Sequence, residues 1–444
     1  MFNTYFGAAQ NTNMKVAFSR QINAFGGLNF VFEQLDRLGI PKLLQAQLPV
    51  LANQSKYNWK DIFYSFLSIY YCGGDSIEDI KTNLKHNIGS NPFCELPSPD
   101  RLLDRLKQLT EPSRLEQTNR GIVDHEISQN QLLSKLNVAL LKKLGVFKQK
   151  QLVLDYDNTI IYTEKKDSKR TYKKEKGYQP AVATLNVNHV VYVENRNGNT
   201  DAKSLQSSTL KAILDLLAAN CPCKLDCFRA DAASYQFDVV ALIKKYAKYF
   251  YIGAKRSYVE KYFTAVQNWE ETKGSDGEKI WVGSVEYTPF IRQCKENNVA
   301  LTTYRLVVKR KASKNKQLNC FTNDSFEYTA VITNDFDKTA LEIYNFYNQR
   351  GSMEKQFDIL KNDFGWQHVP FSQLKQNTVF LYFTAMLKNL YPTIITNLSK
   401  RFKNIQPNFR MKKFIFRFIT MPAKWVRTAR QNVLRIYSPI AFKT

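Results

Sequence analysis

Four side chains between positions 347 and 361 stand at a spacing that could handle phosphate. In the segment YNQRGSMEKQFDILK, Tyr347, Arg350, Glu354 and Lys361 fall at offsets of three, seven and fourteen. At about 100° per residue, a helix gathers such positions within roughly 60° of one another. One face would then carry a phenol, a guanidinium, a carboxylate and an ammonium. An arginine fork and a lysine point charge suit phosphate oxygens, and a carboxylate suits a hard divalent cation. The plainer account is an amphipathic helix with a solvated polar stripe. Gly351, between Arg350 and Glu354, weakens a single uninterrupted helix.

A cation needs more than one acid, and two further segments supply them. Leu152-Val153-Leu154-Asp155-Tyr156-Asp157 is a short apolar run ending in acids, the pattern of a buried strand that delivers carboxylates to its end. Asp155 and Asp157 are two residues apart and so share a face. Leu225 to Asp231 reads as a second such strand.

The elements that must position these groups are legible at coarse grain. Ala181 to Val187 and His189 to Glu194 are strand-like and joined by a very short turn, so the first three strands predict an antiparallel meander. A helix follows from about Asp201 to Ala219, with Leu210, Ile213, Leu214 and Leu217 on one face. Gln236 to Tyr249 then reads as a helix and Phe250 to Gly253 as a strand. Three strands, helix, strand, helix, strand is the order of a ribonuclease H-like α/β core, lacking one helix. That helix arrives late, as a long segment from Lys338 to Asn362 opened by Asp337, after the strand-like Ala330 to Asn334.

The expected fold class is therefore α/β, in five stretches. Residues 1–149 form a helical N-terminal domain with a DNA-binding role. Residues 150–254 are the first part of the core, 255–329 a β-rich insertion, 330–395 the completion of the core with the Glu354 helix, and 396–444 a basic helical tail. In the first stretch, Leu28 to Leu38, Trp59 to Tyr71 and Arg101 to Leu109 carry helical apolar spacing. Ser98-Pro99-Asp100 is a helix start. A helix-turn-helix and an ordinary bundle fit this stretch equally.

Composition narrows the partners. Lysine and arginine number 64 against 39 acids in 444 residues, a formal charge of +25. Such a field suits a polyanion, nucleic acid first and a membrane surface second. The stretch Asn377 to Leu398 is apolar, but Lys388, Asn389 and Pro392 interrupt it, so a buried core helix is expected instead of a membrane span. The opening segment MFNTYFGAAQNTNMK lacks the features of a secretory signal, which places the expected location in the cytoplasm. Seven cysteines fit a reduced compartment, and Cys221, Cys223 and Cys227 lack a matching fourth zinc ligand nearby. After Asp363 the chain has no acid at all, while lysines and arginines continue to Lys443 among residues such as Phe414, Phe416, Phe418 and Trp425.

At this point the spacing becomes specific. Tyr-x2-Arg-x3-Glu-x6-Lys resembles the signature of a large group of bacterial insertion-sequence transposases with a catalytic Asp-Asp-Glu triad. Asp157-Asn158-Thr159 is similar to that group's first Asp motif, Arg196-Asn197-Gly198-Asn199-Thr200 to its Arg-x-Gly-Asn-Thr segment, and Arg229-Ala230-Asp231 to its second Asp motif. Thr333-Asn334 matches a further pair, so the resemblance covers roughly residues 150–395.

The resemblance implies that Asp157, Asp231 and Glu354 are catalytic and hold two Mg2+ ions, with Mn2+ able to substitute, and that Asp155 is a further candidate ligand. It implies DNA phosphate contacts for Tyr347, Arg350 and Lys361, and base stacking for Trp281, with Trp269 nearby. It further implies double-stranded DNA partners (terminal inverted repeats and target DNA), a homodimer in the DNA complex, cut-and-paste transposition and a bacterial, nucleoid-associated setting.

Two rival readings stand beside it. Asp155-Tyr156-Asp157-Asn158-Thr159 also fits the D-x-D-x-T opening of haloacid dehalogenase-type phosphatases, in which the first Asp attacks phosphorus. The other rival is a catalytically inactive, transposase-derived DNA-binding protein.

Overall fold

Successive residues of the Asp157 strand, Val153–Asn158, are buried on opposite faces. Val153 packs with Cys227, Tyr251, Ile343 and Tyr344, whereas Leu154 and Tyr156 pack with Leu210, Ile213 and Val240. A strand apolar on both sides must lie between two layers. The computed structural model, which describes residues 22–438 except 89, 90, 93, 118–123, 222, 223, 275, 314–317 and 319–321, places it mid-sheet. The N-terminal segment behind the secretory reading and Cys223 lie outside the described residues.

The sheet has eleven strands. From one edge they run Arg114–Gln117, Asp124–Ser128, His189–Arg196, Ala181–Leu185, Val153–Asn158, Leu225–Ala230, Ala247–Gly253, Phe326–Thr333, Tyr304–Ala312, Lys279–Tyr287 and Glu270–Lys273. The expected meander is present: Val153–Asn158 pairs antiparallel with Ala181–Leu185, which pairs antiparallel with His189–Arg196. The two next strands run parallel, Leu225–Ala230 beside the Asp157 strand and Ala247–Gly253 beside it in turn. This large mixed sheet with helices on its faces is consistent with the expected ribonuclease H-like α/β core. The β-rich stretch extends the same sheet, through Phe326–Thr333 paired antiparallel with Ala247–Gly253.

Three differences from the sequence reading have physical causes. First, the N-terminal stretch is not wholly helical, because Asp124–Ser128 adds an edge to the main sheet at His189–Arg196. Its helices also share one core with the long helix Leu374–Arg401, where Phe63 and Phe66 meet Phe383 and the Tyr71 hydroxyl donates to the Leu387 carbonyl at 3.1 Å.

Second, the segment from 338 to 362 is broken: helix Ala340–Asn348, capped by Thr339 with Glu342, passes through a tight turn at Gln349–Gly351 into helix Ser352–Asp363. Third, the tail ends in a β-hairpin, Ala423–Thr428 with Gln431–Ile436, because Trp425, Val426, Val433, Leu434 and Ile436 favour the pleated conformation.

The helix Leu374–Arg401 shows why polar residues can stand in an apolar run. Asn389 is fully buried and caps a strand edge, accepting from the Val190 amide at 2.8 Å and donating to the Val190 carbonyl at 2.7 Å and to Asn137 at 3.0 Å. Lys388 donates to the Asn188 carbonyl. Among the described residues no helix is long and apolar enough to cross a membrane.

Candidate active site

The parallel pairing of the two acid-bearing strands sets the floor of the site. Asp155 lies in register with Arg229, and Arg229 grips both its oxygens, Nε to Oδ1 at 2.7 Å and Nη2 to Oδ2 at 2.8 Å. The third arm of that guanidinium donates to the Phe346 carbonyl at 2.7 Å, and its plane lies 4.7 Å from the Phe346 ring centre. Burial pushes the Asp155 carboxyl up, against the opposing pull of Arg229 and Arg350. Asp155 therefore sits beneath the surface with both oxygens engaged. The phosphatase reading needs it exposed as a nucleophile.

One pleat further along, Asp157 emerges at the end of the strand. Its Oδ2 takes Arg350 Nη2 at 2.7 Å and its Oδ1 accepts from the Asn158 amide at 2.9 Å. Burial is the main force that pushes its carboxyl up to about 6; Arg350 resists, and the charges of Asp231 and Glu354 add to the rise. Asp231 follows the parallel neighbour strand and caps a short turn, accepting from the Ala233 amide at 3.0 Å. Glu354 is exposed in the first turn of helix Ser352–Asp363, where a carboxylate is favoured by the helix dipole.

All three acids line one open cleft of about 640 Å³. Lys173, Lys203 and Lys361 line it too, as do Tyr162 and Tyr172, the latter 70% exposed. The Lys361 ammonium is pulled down by burial and by Lys173. The reading of the sequence missed Lys173, Tyr172 and Lys203. The basic run from Lys165 to Lys176 was the available signal.

The break at Gln349–Gly351 changes how the signature works. Tyr347 does not share the cleft with Glu354: its hydroxyl donates to the Ala230 carbonyl at 3.2 Å, beneath Asp231, and a Cβ on Gly253 would come within 2.8 Å of it. Burial pushes the phenol up to about 12. Arg350 is brought to Asp157, and its Nε is buried with no hydrogen-bond partner among the described residues. Trp281 lies away from the cleft lining, edge-on to Phe326 at 5.4 Å, with Arg310 packed against Trp269, Trp281 and Phe326.

The Arg-x-Gly-Asn-Thr segment is a structural joint. Arg196 is fully buried and donates to Glu194 at 2.7 Å, Thr209 at 2.6 Å and the Ser204 carbonyl at 3.0 Å. Gly198 has no room for a side chain, since a Cβ would lie 2.4 Å from the Lys169 carbonyl oxygen. Arg229 plays the same bracing role in the second Asp motif, a role that only the register of the folded strands exposes.

The carboxylates of Asp157, Asp231 and Glu354 are hard oxygen donors of the kind magnesium prefers, so the donor chemistry fits a divalent ion. Among the described residues no group of three or more His, Cys, Asp or Glu side chains is gathered closely enough to hold one. Arg350 occupies the position beside Asp157 that a cation would neutralise.

An α/β sheet carries acids at adjacent strand ends, faced by a glutamate helix, and they open on a cleft lined by acids and lysines together. Residues 6–444 match the model of the family described as Transposase DDE domain group 1, and the chain belongs to that family. Among solved structures it is similar to a piggyBac transposase synaptic complex with hairpin DNA, at 10% identity and a TM-score of 0.44, over 90% of this chain and 82% of that one. No curated protein matches the chain.

Proposed function

We propose that this chain is an active cut-and-paste transposase that cleaves double-stranded DNA at the ends of its element and joins them to a target. The observation that carries the reading is the convergence of Asp157, Asp231 and Glu354 on one cleft lined by Lys173, Lys203 and Lys361. An inactive DNA-binding derivative would have no need to keep three acids on one cleft, since like charges brought together cost stability.

In this reading Asp157, Asp231 and Glu354 hold two Mg2+ ions. Bound divalent ions would activate the attacking water or 3′-hydroxyl and stabilise the leaving oxygen. The chain's own residues do the rest. Arg350 pairs with Asp157 behind the cleft lining and has a buried Nε without an acceptor, so a contact to a DNA phosphate oxygen requires the guanidinium to swing towards the cleft. Lys361, partly desolvated, contributes a point charge to a flanking phosphate. Tyr347 holds the Ala230 carbonyl and thereby the backbone that carries Asp231. Its role is positioning, with a phosphate contact requiring that bond to open. The same requirement falls on Trp281, whose stacking on a displaced base needs DNA to extend beyond the cleft to the outer strands. Two ends must be joined, which argues for a homodimer on DNA.

The test is cleavage of duplexes that carry the sequences flanking the gene. Asp157→Asn, Asp231→Asn and Glu354→Gln should each abolish strand cleavage in Mg2+ while leaving duplex binding within a few-fold of the parent, because metal ligation and phosphate binding are separable. Retained cleavage by Glu354→Gln sinks the assignment.

A further inference from the structure

The hairpin Ala423–Thr428/Gln431–Ile436 belongs to no larger sheet. Two strands alone are marginal in water, so this one needs its anchor. Asn23 and Ala423 exchange both backbone hydrogen bonds, at 2.7 and 2.8 Å, and Gly26 donates to the Met421 carbonyl at 2.7 Å. The close approach leaves no space for a side chain on Gly26, whose Cβ would lie 2.5 Å from that of Ala423. On one face Trp425, Leu434 and Ile436 are half-buried, with the Trp425 indole donating to Asn29 at 3.3 Å. The base is therefore fixed to the body, while Arg427, Thr428, Ala429, Arg430, Gln431 and Asn432 at the far end are all exposed.

The hairpin is charged along its whole length in a way that folding alone does not explain. Lys424 stands directly opposite Arg435 across the two strands, a like-charge pair that weakens a hairpin. No acid occurs anywhere after Asp363, and Lys424, Arg427, Arg430 and Arg435 make no ion pair with any described residue. The two-residue turn puts Ala429 and Arg430 at φ 48° and 64°, a conformation that Asn-Gly adopts cheaply and these residues do not. The chain thus holds an arginine at the tip of a rigidly based arm where a turn-forming residue would be more stable.

We infer that this hairpin is a DNA-reading arm that enters the major groove of duplex DNA. The inference rests on the DNA-acting reading above and adds a second contact surface to it. Two strands about 4.8 Å apart with their side chains fit a groove about 12 Å wide, and the free end from Arg427 to the turn reaches about 10 Å into it. Lys424, Arg427, Arg430 and Arg435 meet the phosphates on either side. Gln431 and Asn432, beside the tip, are of the types that pair with adenine edges.

Full-length protein is titrated with fluorescein-labelled duplexes, one set carrying the genomic sequence flanking the gene and one scrambled, across a salt series. In Arg427→Gln/Arg430→Gln/Arg435→Gln, the slope of log affinity against log salt should flatten by up to about 2.7, at roughly 0.9 per lost phosphate contact, on both duplexes. Gln431→Ala/Asn432→Ala should keep the slope and lose about tenfold of the preference for the flanking sequence. Thermal melting checks that both variants fold. An unchanged slope in the folded triple variant overturns the arm. A lost dimer in light scattering with an unchanged slope also overturns it, assigning the hairpin to a second copy of the chain. Wild-type protein that binds neither duplex overturns the transposase reading itself.

Discussion

Two aspartates two residues apart on one strand have each drawn an arginine, and the two pairs behave as different materials. In the lower pair, Asp155 and Arg229 satisfy one another completely: both carboxylate oxygens are used, and the remaining guanidinium arm is spent on the Phe346 carbonyl. In the upper pair, a single contact of 2.7 Å joins Asp157 to Arg350, the carboxyl is pushed up to about 6, and Arg350 keeps a buried donor unused. The saturated pair ties two core strands and a helix together. The unsaturated pair leaves bonding capacity just behind a cleft that its carboxylate lines. Saturation, more than burial or residue type, separates a brace from a site.

The largest effect should come from breaking the brace. Asp155→Ala strands the Arg229 guanidinium in the interior without a counter-charge, and removal of one partner of a buried pair costs about 3–5 kcal/mol. Urea unfolding followed by circular dichroism should show that loss. Asp157→Asn should cost less than about 1 kcal/mol, since the native carboxylate is itself penalised by burial and asparagine keeps its shape and an acceptor oxygen for Arg350. Equal losses for the two variants would break the comparison. Asp155→Leu/Arg229→Met should recover most of the lost stability, because a well-packed apolar replacement of a buried pair is often neutral or better.

A second pair of buried groups sharpens what burial does without any counter-charge. Lys388 is pushed down to about 7 by desolvation alone, and the neighbouring His189 is pushed down to about 4, by desolvation first and then by Lys388. An unfolded lysine titrates near 10.5. Between about pH 7 and 10.5, then, the unfolded chain binds a proton that the folded chain does not, and stability rises with pH across that window. The penalty is fully present below pH 7. For His189 the same reasoning gives stability that is lost as pH falls from about 6.5 through 4. Lys388→Met should flatten the rise between pH 7 and 10, read from denaturation midpoints at several pH values. An undiminished rise in the variant would show that Lys388 is charged in the fold.

The sequence disclosed much of this and missed a definable part. The order of strands and helices followed from apolar runs of the right length; Asp157 and Asp231 could be placed at strand ends from those runs, whereas Glu354 was singled out by its spacing within the Tyr347-to-Lys361 signature. Arg229's grip on Asp155 was not legible, since it depends on the register of two strands seventy-four residues apart. Lys173 and Tyr172 come from the loop around a small three-stranded sheet that carries no strong periodicity. The hairpin was read as helix because alternating basic and apolar residues fit a helical stripe and a strand almost equally over six positions. Asn389 and Lys388 looked like interruptions because a strand edge that needs donors and acceptors is invisible from within one helix.

The smallest effect tests how the upper pair is assembled. Arg350 reaches Asp157 because the chain tightens at Gln349–Gly351 between two helices, and the obvious suspect for that break is Gly351. Yet Gly351 has φ −54° and ψ −17°, ordinary helical values, and a Cβ there would meet nothing within 4 Å. The break is therefore held by packing, with Met353, Phe357 and Leu360 buried on one side and Ile343 and Tyr344 on the other. Gly351→Ala should then stabilise the protein by about 0.4–1 kcal/mol, through lost freedom of the unfolded chain, and leave cleavage unchanged. A gain in stability accompanied by lost activity would mean instead that the glycine is kept so that the turn can straighten, releasing Arg350 from Asp157 when the acids close on their metal ions.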